Sequence, residues 1–240
     1  DKPGVADGLR RVGTKYGAPL FVQEPDPDDP VGEMAPMSHA RRNATLVALT
    51  PARVMEIDRN ILFVMLRDPE NRDRFDRRYA QRALREFFPK LGDGFGLFGA
   101  LTRAEIGRFI DGVGGAVQLV RANPGYVICR ENDPADSFYL LRLGFVSVTQ
   151  GGRVVCPPLR QGDCFGELAL LTRKLAPLPA NFRPELPRGV RTATCTALDH
   201  AELVRVGATE FEGFFGRPNN ADLLAKLRAR CLEILGGGAK

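Results

Sequence analysis

An internal repeat is the feature that most constrains the fold of this 240-residue chain. Residues 44–57 (ATLVALTPARVMEI) align with residues 193–206 (ATCTALDHAELVRV) without a gap, at an offset of 149. The identical pairs are Ala44/Ala193, Thr45/Thr194, Ala48/Ala197, Leu49/Leu198 and Ala52/Ala201. Each copy is typical of a strand, a two-residue turn and a second strand. The repeat therefore predicts two related modules in one chain.

A second match lies just upstream of the first. Residues 31–35 (VGEMA) align with residues 165–169 (FGELA) at an offset of 134, so the second copy carries 15 extra residues. These fall within 171–190, a stretch that contains four prolines. Proline interrupts helices and central strands, so this insertion is expected to form a surface loop.

Short strands broken by glycine and Asn-Asp-Pro turns precede residues 165–169 of the second copy. They are predicted at 116–121, 126–130, 138–143, 145–149 and 153–156. This spacing indicates a small antiparallel barrel or jelly roll. The first copy has only 30 residues before Val31, so its module is expected to be incomplete.

Helical periodicity follows each copy. An apolar run at 61–66 leads into a stripe of Phe75, Tyr79, Ala83, Leu84 and Phe87 on an arginine-rich segment, and further helices are predicted at 208–215 and 220–235. The expected fold class is α+β: antiparallel β-roll barrels flanked by helices, as tandem modules. The expected domains are a partial module at 1–60, a helical linker at 61–96 and a complete module at 97–240.

Composition and motif searches exclude several function classes. No apolar stretch is long enough for a membrane span, and no secretory signal opens the chain. Five cysteines without a CxxC pair and only two histidines predict neither a disulfide framework nor a metal site, and favour the cytoplasm. No nucleophile, base and orienting group come together, so no enzyme is expected. The 25 residues after Phe215 are too few for a helix-turn-helix domain, so no DNA partner is expected.

The segment FGELALL (165–171), with Arg191-Thr192-Ala193-Thr194, contains the side chains and amides best suited to bind a ligand. We call these residues the second cassette, and the corresponding residues 31–35 and 42–45 the first cassette. A Gly-Glu step that opens a helical turn presents backbone amides to an anion. An arginine beside them adds charge-assisted hydrogen bonds to phosphate oxygens. A buried glutamate needs hydroxyl donors, such as those of a sugar. The net charge of +5 suits such an anionic ligand.

These motifs resemble the cyclic nucleotide-binding domain family over residues 97–235, and residues 31–90 look like the later half of a second such domain. The resemblance implies that the arginine binds the cyclic phosphate, the glutamate binds the ribose 2′-hydroxyl, and cassette amides complete the site. The ligand would be cyclic AMP or cyclic GMP, with no other cofactor and no metal. The implied binding residues are Phe165, Gly166, Glu167, Leu168, Ala169, Arg191, Thr192 and Ala193 in the second copy, and Gly32, Glu33, Met34, Ala35, Arg42 and Asn43 in the first.

Several alternatives remain open from the sequence. Arg188 competes with Arg191 for the phosphate, although the Arg-x-Ala-Thr spacing recurs at Arg42. In the family, Thr after the arginine often accompanies cyclic GMP and Ala accompanies cyclic AMP; this position is Thr192 in one copy and Asn43 in the other. The rival function is a nucleotide-free barrel for protein–protein interaction or dimerisation. A protein partner, or a catalytic region of a longer chain, is expected to receive the signal.

Overall fold

The computed structural model describes residues 9–15, 18–23, 30–38, 45–48, 50–88, 96–175 and 188–236. The chain divides into two compact units, Asp1–Asp68 and Pro69–Lys240. Within the described residues, no helix is both long and apolar enough to span a bilayer.

Unit 1 combines a hairpin with two short helices. Strands β1 (Leu9–Lys15) and β2 (Ala18–Gln23) pair antiparallel, and helices α1 (Met34–Ser38) and α2 (Arg59–Met65) follow. The predicted strand–turn–strand at 44–57 is wrong for its described parts, 45–48 and 50–57, which form no strand. Four of their apolar side chains are 64–86% exposed: Leu46, Val47, Val54 and Met55. A lone hairpin is marginal in water, and neither part pairs with β1 or β2 in this unit.

Two antiparallel four-stranded sheets form the β-roll of unit 2. Their orders are β3-β10-β5-β8 and β4-β9-β6-β7. The strands are β3 (Gln118–Ala122), β4 (Val127–Cys129), β5 (Ser137–Leu143), β6 (Val146–Gln150), β7 (Arg153–Val154), β8 (Cys164–Phe165), β9 (Thr194–Ala197) and β10 (Ala201–Gly207). The antiparallel roll predicted for the second copy is confirmed. The repeat segment supplies β9 and β10, which belong to different sheets and so join the two.

Among the described residues, five α-helices flank this roll: α3 (Pro69–Phe87), α4 (Arg103–Val113), α5 (Glu167–Leu170), α6 (Ala208–Phe215) and α7 (Ala221–Gly236). Helix α4 was not predicted from the sequence, although Thr102 and Glu105 form a capping box at its start. Two glycines weaken the helical signal there. One of them, Gly112, is required by packing, because a Cβ would lie 2.3 Å from the Phe214 ring of α6.

Phenylalanine rings join α4 and α6 to the roll. Phe109 lies at the centre of this cluster, with ring centroids 5.2–6.2 Å from Phe88, Phe98, Phe138, Phe211, Phe214 and Phe215. Because Phe138 belongs to β5, the cluster fixes α6 against the strand that begins beside the candidate site.

Helix α3 packs on the roll through its apolar stripe and through a buried polar contact. Tyr79, Ala83 and Leu84 are fully buried. The Tyr79 hydroxyl donates to Glu202 Oε2 of β10 at 2.6 Å. Arg142 Nη1 lies 3.5 Å from the same oxygen, and the Arg142 guanidinium lies over the Tyr79 ring.

We expect Tyr79→Phe to lower the free energy of unfolding by about 2 kcal/mol, because it removes a donor from a buried carboxylate. Chemical denaturation of the whole chain measures this loss. Tyr126→Phe is the matched control, since Tyr126 is exposed on the same unit. Equal effects of the two substitutions would contradict a role for the Tyr79 hydroxyl.

Candidate functional site

A sharp strand-to-helix turn forms the centre of the site. Strand β8 ends at Phe165, Gly166 adopts a left-handed conformation with φ 87°, and α5 begins at Glu167. A Cβ on Gly166 would lie 2.5 Å from Arg191 Nη1. Glycine is therefore required both by the backbone conformation and by the close approach of the guanidinium.

Arg191 is almost completely buried, with 3% of its side chain exposed. Its Nη2 donates to Asp136 Oδ1 at 3.0 Å and to Ser137 Oγ at 3.3 Å. Its Nη1 donates to the Gly166 carbonyl at 3.4 Å. These bonds use three of the five donors of a guanidinium, so the group is held in place with capacity for further acceptors.

Asp136 connects two arginines. Its Oδ1 accepts from Arg191, and its Oδ2 accepts from Arg205 Nη2 at 2.9 Å. Burial acts to raise the pKa of Asp136, but hydrogen bonds from Ser137 and Arg205 and the charges of both arginines hold it below its usual value. The carboxylate therefore stays ionised and orients Arg191.

Glu167 is buried at the first turn of α5, with 7% of the residue exposed. Burial raises the pKa of its carboxyl group to about 7, while its own backbone amide and the charge of Arg191 act to lower it. A buried carboxylate is costly without donors. Hydroxyl donors from a ligand would stabilise its ionised form.

If this turn had no ligand to bind, Arg191 would be expected to pair with Glu167. Glu167 does contact its own backbone amide, but Arg191 forms its hydrogen bonds with Asp136, Ser137 and Gly166 instead. Arg191 and Glu167 are close enough to interact electrostatically while each keeps its own position. This arrangement places a positive group and a buried carboxyl group at one turn.

The other predicted residues of this cassette lie around the same turn. Phe165 stacks on Tyr139, with centroids 5.2 Å apart. Ala169 is buried, Leu168 and Ala193 are half-buried, and Thr192 is exposed. Arg188, the competing phosphate ligand, is also exposed. The burial of Arg191 favours it over Arg188 for the phosphate role.

The first cassette repeats the local geometry of the turn. Gly32 has φ 80°, Glu33 is 5% exposed, and the Met37 amide donates to the Glu33 carbonyl at 3.2 Å. Ala35 is half-buried in α1. Arg42, Asn43 and the side chain of Met34 lie outside the described residues.

Residues 119–218 match the family model of the cyclic nucleotide-binding domain. The family suggested by the sequence motifs is thereby confirmed for this segment. The cyclic nucleotide-binding domain covers β3 to α6 and includes Gly166, Glu167 and Arg191.

Curated relatives of the chain carry the name "cAMP-dependent protein kinase regulatory subunit". The Schizosaccharomyces pombe protein is 30% identical over 151 residues, which cover 63% of this chain and 33% of that protein. The Yarrowia lipolytica protein is 30% identical over 196 residues, or 81% of this chain and 44% of that protein. The chain thus spans less than half the length of these two relatives.

A solved structure described as "Sp-2Cl-cAMPS bound to PKAR CBD2" is 21% identical, with a TM-score of 0.39. The similarity covers 68% of this chain and 94% of that chain.

In the part of the chain that the structure describes, no cluster of three or more His, Cys, Asp or Glu side chains could hold a metal ion.

No role was predicted from the sequence for Asp136 and Ser137, which position Arg191 in the cyclic nucleotide-binding domain, or for Arg205, which pairs with Asp136. Their pairing joins residues that are 55, 54 and 69 positions apart. Local spacing carries no signal for such contacts. The Arg205 contact appears when β5 and β10 pair, and the Arg191 contacts appear when Val190 bridges to Pro134.

The 15-residue insertion leaves and rejoins the domain at adjacent points. A Cβ on Gly189 would lie 3.3 Å from the Arg173 Cα. Arg173 Nη1 donates to the Ala135 carbonyl at 3.0 Å, and the Ala135 amide donates to the Gly189 carbonyl at 2.8 Å. Both ends are therefore fastened to one point of the roll, and residues 176–187 lie outside the described part.

Replacing residues 176–187 with a short Gly-Ser linker is expected to change the free energy of unfolding by less than about 1 kcal/mol, because shortening a loop with adjacent ends costs little. Chemical denaturation provides the measurement. A Gly-Ser segment of the original length separates the effect of sequence from that of length. A large loss with both replacements would show that the native segment packs on the cassette.

Proposed function

We propose that this chain is a non-catalytic regulatory module that binds cyclic AMP at its cassettes and relays occupancy through its C-terminal helices. One observation carries the proposal: the buried Arg191 guanidinium lies against the left-handed Gly166, one residue before the buried Glu167 carboxylate. Phosphate oxygens would accept from the guanidinium, and the ribose 2′-hydroxyl would donate to the carboxylate. A cyclic nucleotide presents both groups together.

The choice of cyclic AMP rests on the names of the relatives. Each of the two relatives compared is named as a regulatory subunit of a cAMP-dependent protein kinase. Thr192 favours cyclic GMP on the family pattern, so both nucleotides belong in the test. A kinase catalytic subunit is the proposed partner, and the five free thiols agree with a proposed cytoplasmic location.

The tandem organisation is part of the proposal, with domain boundaries at 1–60, 61–96 and 97–240. Its support is the shared geometry of Gly32-Glu33 and Gly166-Glu167, each a positive-φ glycine followed by a buried glutamate. The similarity to the Yarrowia lipolytica protein is longer than the whole of unit 2, so it includes part of unit 1. Gly32, Glu33, Met34, Ala35, Arg42 and Asn43 are the proposed ligand residues of the first site.

Contacts between the cassette and helices α6 and α7 support the proposed relay. The Ala208 amide at the start of α6 donates to the Asp136 carbonyl at 2.7 Å. Arg173 Nε forms an ion pair with Glu212 of α6 at 2.9 Å. Burial, together with the nearby Glu167 carboxylate, raises the pKa of Cys231 in α7 to about 11. A ligand that changes the positions of Asp136 and Glu167 would therefore change the contacts of both helices. This change would shift the population between two arrangements of the helices.

Calorimetric titration of the whole chain with cyclic AMP and cyclic GMP tests the proposal. We expect saturable heat with cyclic AMP, weaker binding of cyclic GMP, and two sites per chain. Binding of one nucleotide per chain would contradict a second site in the first cassette and would leave the proposed function of the second cassette in place. No heat with either nucleotide at millimolar concentration, from a folded chain, would overturn the function and favour a nucleotide-free interaction module.

A further inference from the structure

Two cysteines face each other behind the cassette, outside the residues assigned to the ligand. Strands β4 and β9 pair antiparallel, with Val127 opposite Thr196. A regular ladder would then place Ile128 opposite Cys195. A bulge between Val127 and Cys129 shifts the register and brings Cys129 opposite Cys195.

The register of β4 and β9 makes Cys129 and Cys195 direct cross-strand partners, which suits a disulfide. Directly opposed residues in an antiparallel ladder have Cα atoms about 4.5–5.5 Å apart. Disulfides span Cα separations of about 4.4–6.8 Å. The two thiols are close enough for each to change the pKa of the other. The geometry needs little backbone movement to form an S–S bond.

The two thiols differ in exposure and in ionisation. Cys129 is half-buried and Cys195 is 5% exposed. The hydrogen bond with Cys195 lowers the pKa of Cys129 to about 7, against an opposing effect of burial, and the charge of Arg191 also lowers it. The hydrogen bond with Cys129 and burial raise the pKa of Cys195. Such a pair contains one nucleophilic thiol and one resolving thiol.

We propose that Cys129 and Cys195 are a reversible thiol–disulfide site that responds to hydrogen peroxide. The Cys129 thiolate attacks a peroxide oxygen; an S–O bond forms, the O–O bond breaks, and the departing hydroxide takes a proton to become water. The Cys195 sulfur then attacks the sulfenic sulfur; the S–S bond forms, the S–O bond breaks, and a second water leaves with the Cys195 proton. Two thiols lose two electrons and peroxide gains two.

The bond would connect the two segments that hold the phosphate arginine. Strand β9 begins three residues after Arg191, and β4 leads into the segment in which the Asn132 amide donates to the Arg191 carbonyl at 2.8 Å. The Arg191 amide donates in turn to the Asp133 carbonyl at 2.8 Å. Oxidation therefore fixes the frame around Arg191 without using a ligand-binding group, and its chemistry does not depend on nucleotide binding.

Peptide mapping of the whole reduced chain after hydrogen peroxide treatment tests this site. Free thiols are alkylated, the chain is digested, and linked peptides are identified by mass spectrometry. We expect a Cys129–Cys195 link, a fall from five free thiols to three, and full recovery of the thiols with dithiothreitol. The reaction should slow about tenfold per pH unit below the pKa of the attacking thiol.

Variants assign the two roles. Cys195→Ser should leave a Cys129 sulfenic acid that dimedone traps, whereas Cys129→Ser should give neither the link nor this adduct. Cys231→Ser is the control, because Cys231 lies buried in α7 and should not affect the link. A link from either thiol to Cys156, or persistence of all five free thiols, would overturn the proposal. The map of the unsubstituted chain decides this even if a variant fails to fold.

Discussion

Arg191→Ala is expected to weaken cyclic AMP binding at the second cassette by about 100-fold or more, because it removes two or more charge-assisted hydrogen bonds to the phosphate. The rest of the site should remain in place. Asp136 keeps its ion pair with Arg205, and Gly166 keeps its left-handed turn. Calorimetric titration of the variant gives the affinity, and thermal denaturation verifies that the chain is folded.

Two further variants sharpen this result. Arg191→Lys keeps the charge but loses the planar fork that holds Asp136, Ser137 and Gly166, so we expect an intermediate loss. Arg188→Ala is the matched control, since Arg188 lies on the same segment but is exposed. If Arg191→Ala leaves the affinity unchanged while Arg188→Ala lowers it, the phosphate role belongs to Arg188.

The sequence was sufficient to predict that Arg191 lies at the turn of Gly166 and Glu167, because the Gly-Glu step and the Arg-x-Ala-Thr spacing are visible in the sequence itself. The ligand-binding roles of these three residues stay predictions. The antiparallel roll was also predictable, since β3 to β7 are separated by turn residues at short intervals. In these segments local pattern and tertiary structure agree.

The errors have a common physical origin. Residues 45–48 and 50–57 have the same pattern as β9 and β10, but a strand forms only where a neighbouring strand satisfies its backbone. Helix α4 was missed because Gly112, which weakens the helical signal, is required by the Phe214 ring of another helix. The contact of Asp136 with Arg205 depends on the pairing of β5 with β10, and the Cys129–Cys195 pair depends on a bulge in β4. Each of these features is decided by residues far away in the chain.

Glu167→Gln is expected to change the pH dependence of stability. In the unfolded chain the carboxyl group has a pKa near 4.5, and burial raises the pKa in the folded chain to about 7. The folded state therefore retains a proton that the unfolded state has released, so stability falls as pH rises from 4.5 to 7 and is constant above that. This shift corresponds to about 3 kcal/mol. Glutamine does not ionise, so the variant does not lose this stability as pH rises and should be more stable than the unsubstituted chain at pH 8.

Denaturation curves of both chains between pH 4.5 and pH 8 measure this difference, and Glu56→Gln, in an exposed segment, is the control. Parallel curves for the Glu167 variant and the unsubstituted chain would contradict the buried, raised-pKa carboxyl group.

The same carboxyl group should make ligand binding depend on pH in the opposite direction. A ribose hydroxyl that donates to Glu167 favours the ionised form, so binding releases a proton near neutral pH. Cyclic AMP affinity at the second cassette should therefore fall up to tenfold per pH unit below 7. Glu167→Gln should bind more weakly at pH 8 and lose this dependence. A variant that keeps both the affinity and its pH dependence would remove Glu167 from the ribose site. On the proposed function, the carboxylate that lowers stability at pH 8 is the group that the ligand would stabilise, so folding and occupancy would be linked.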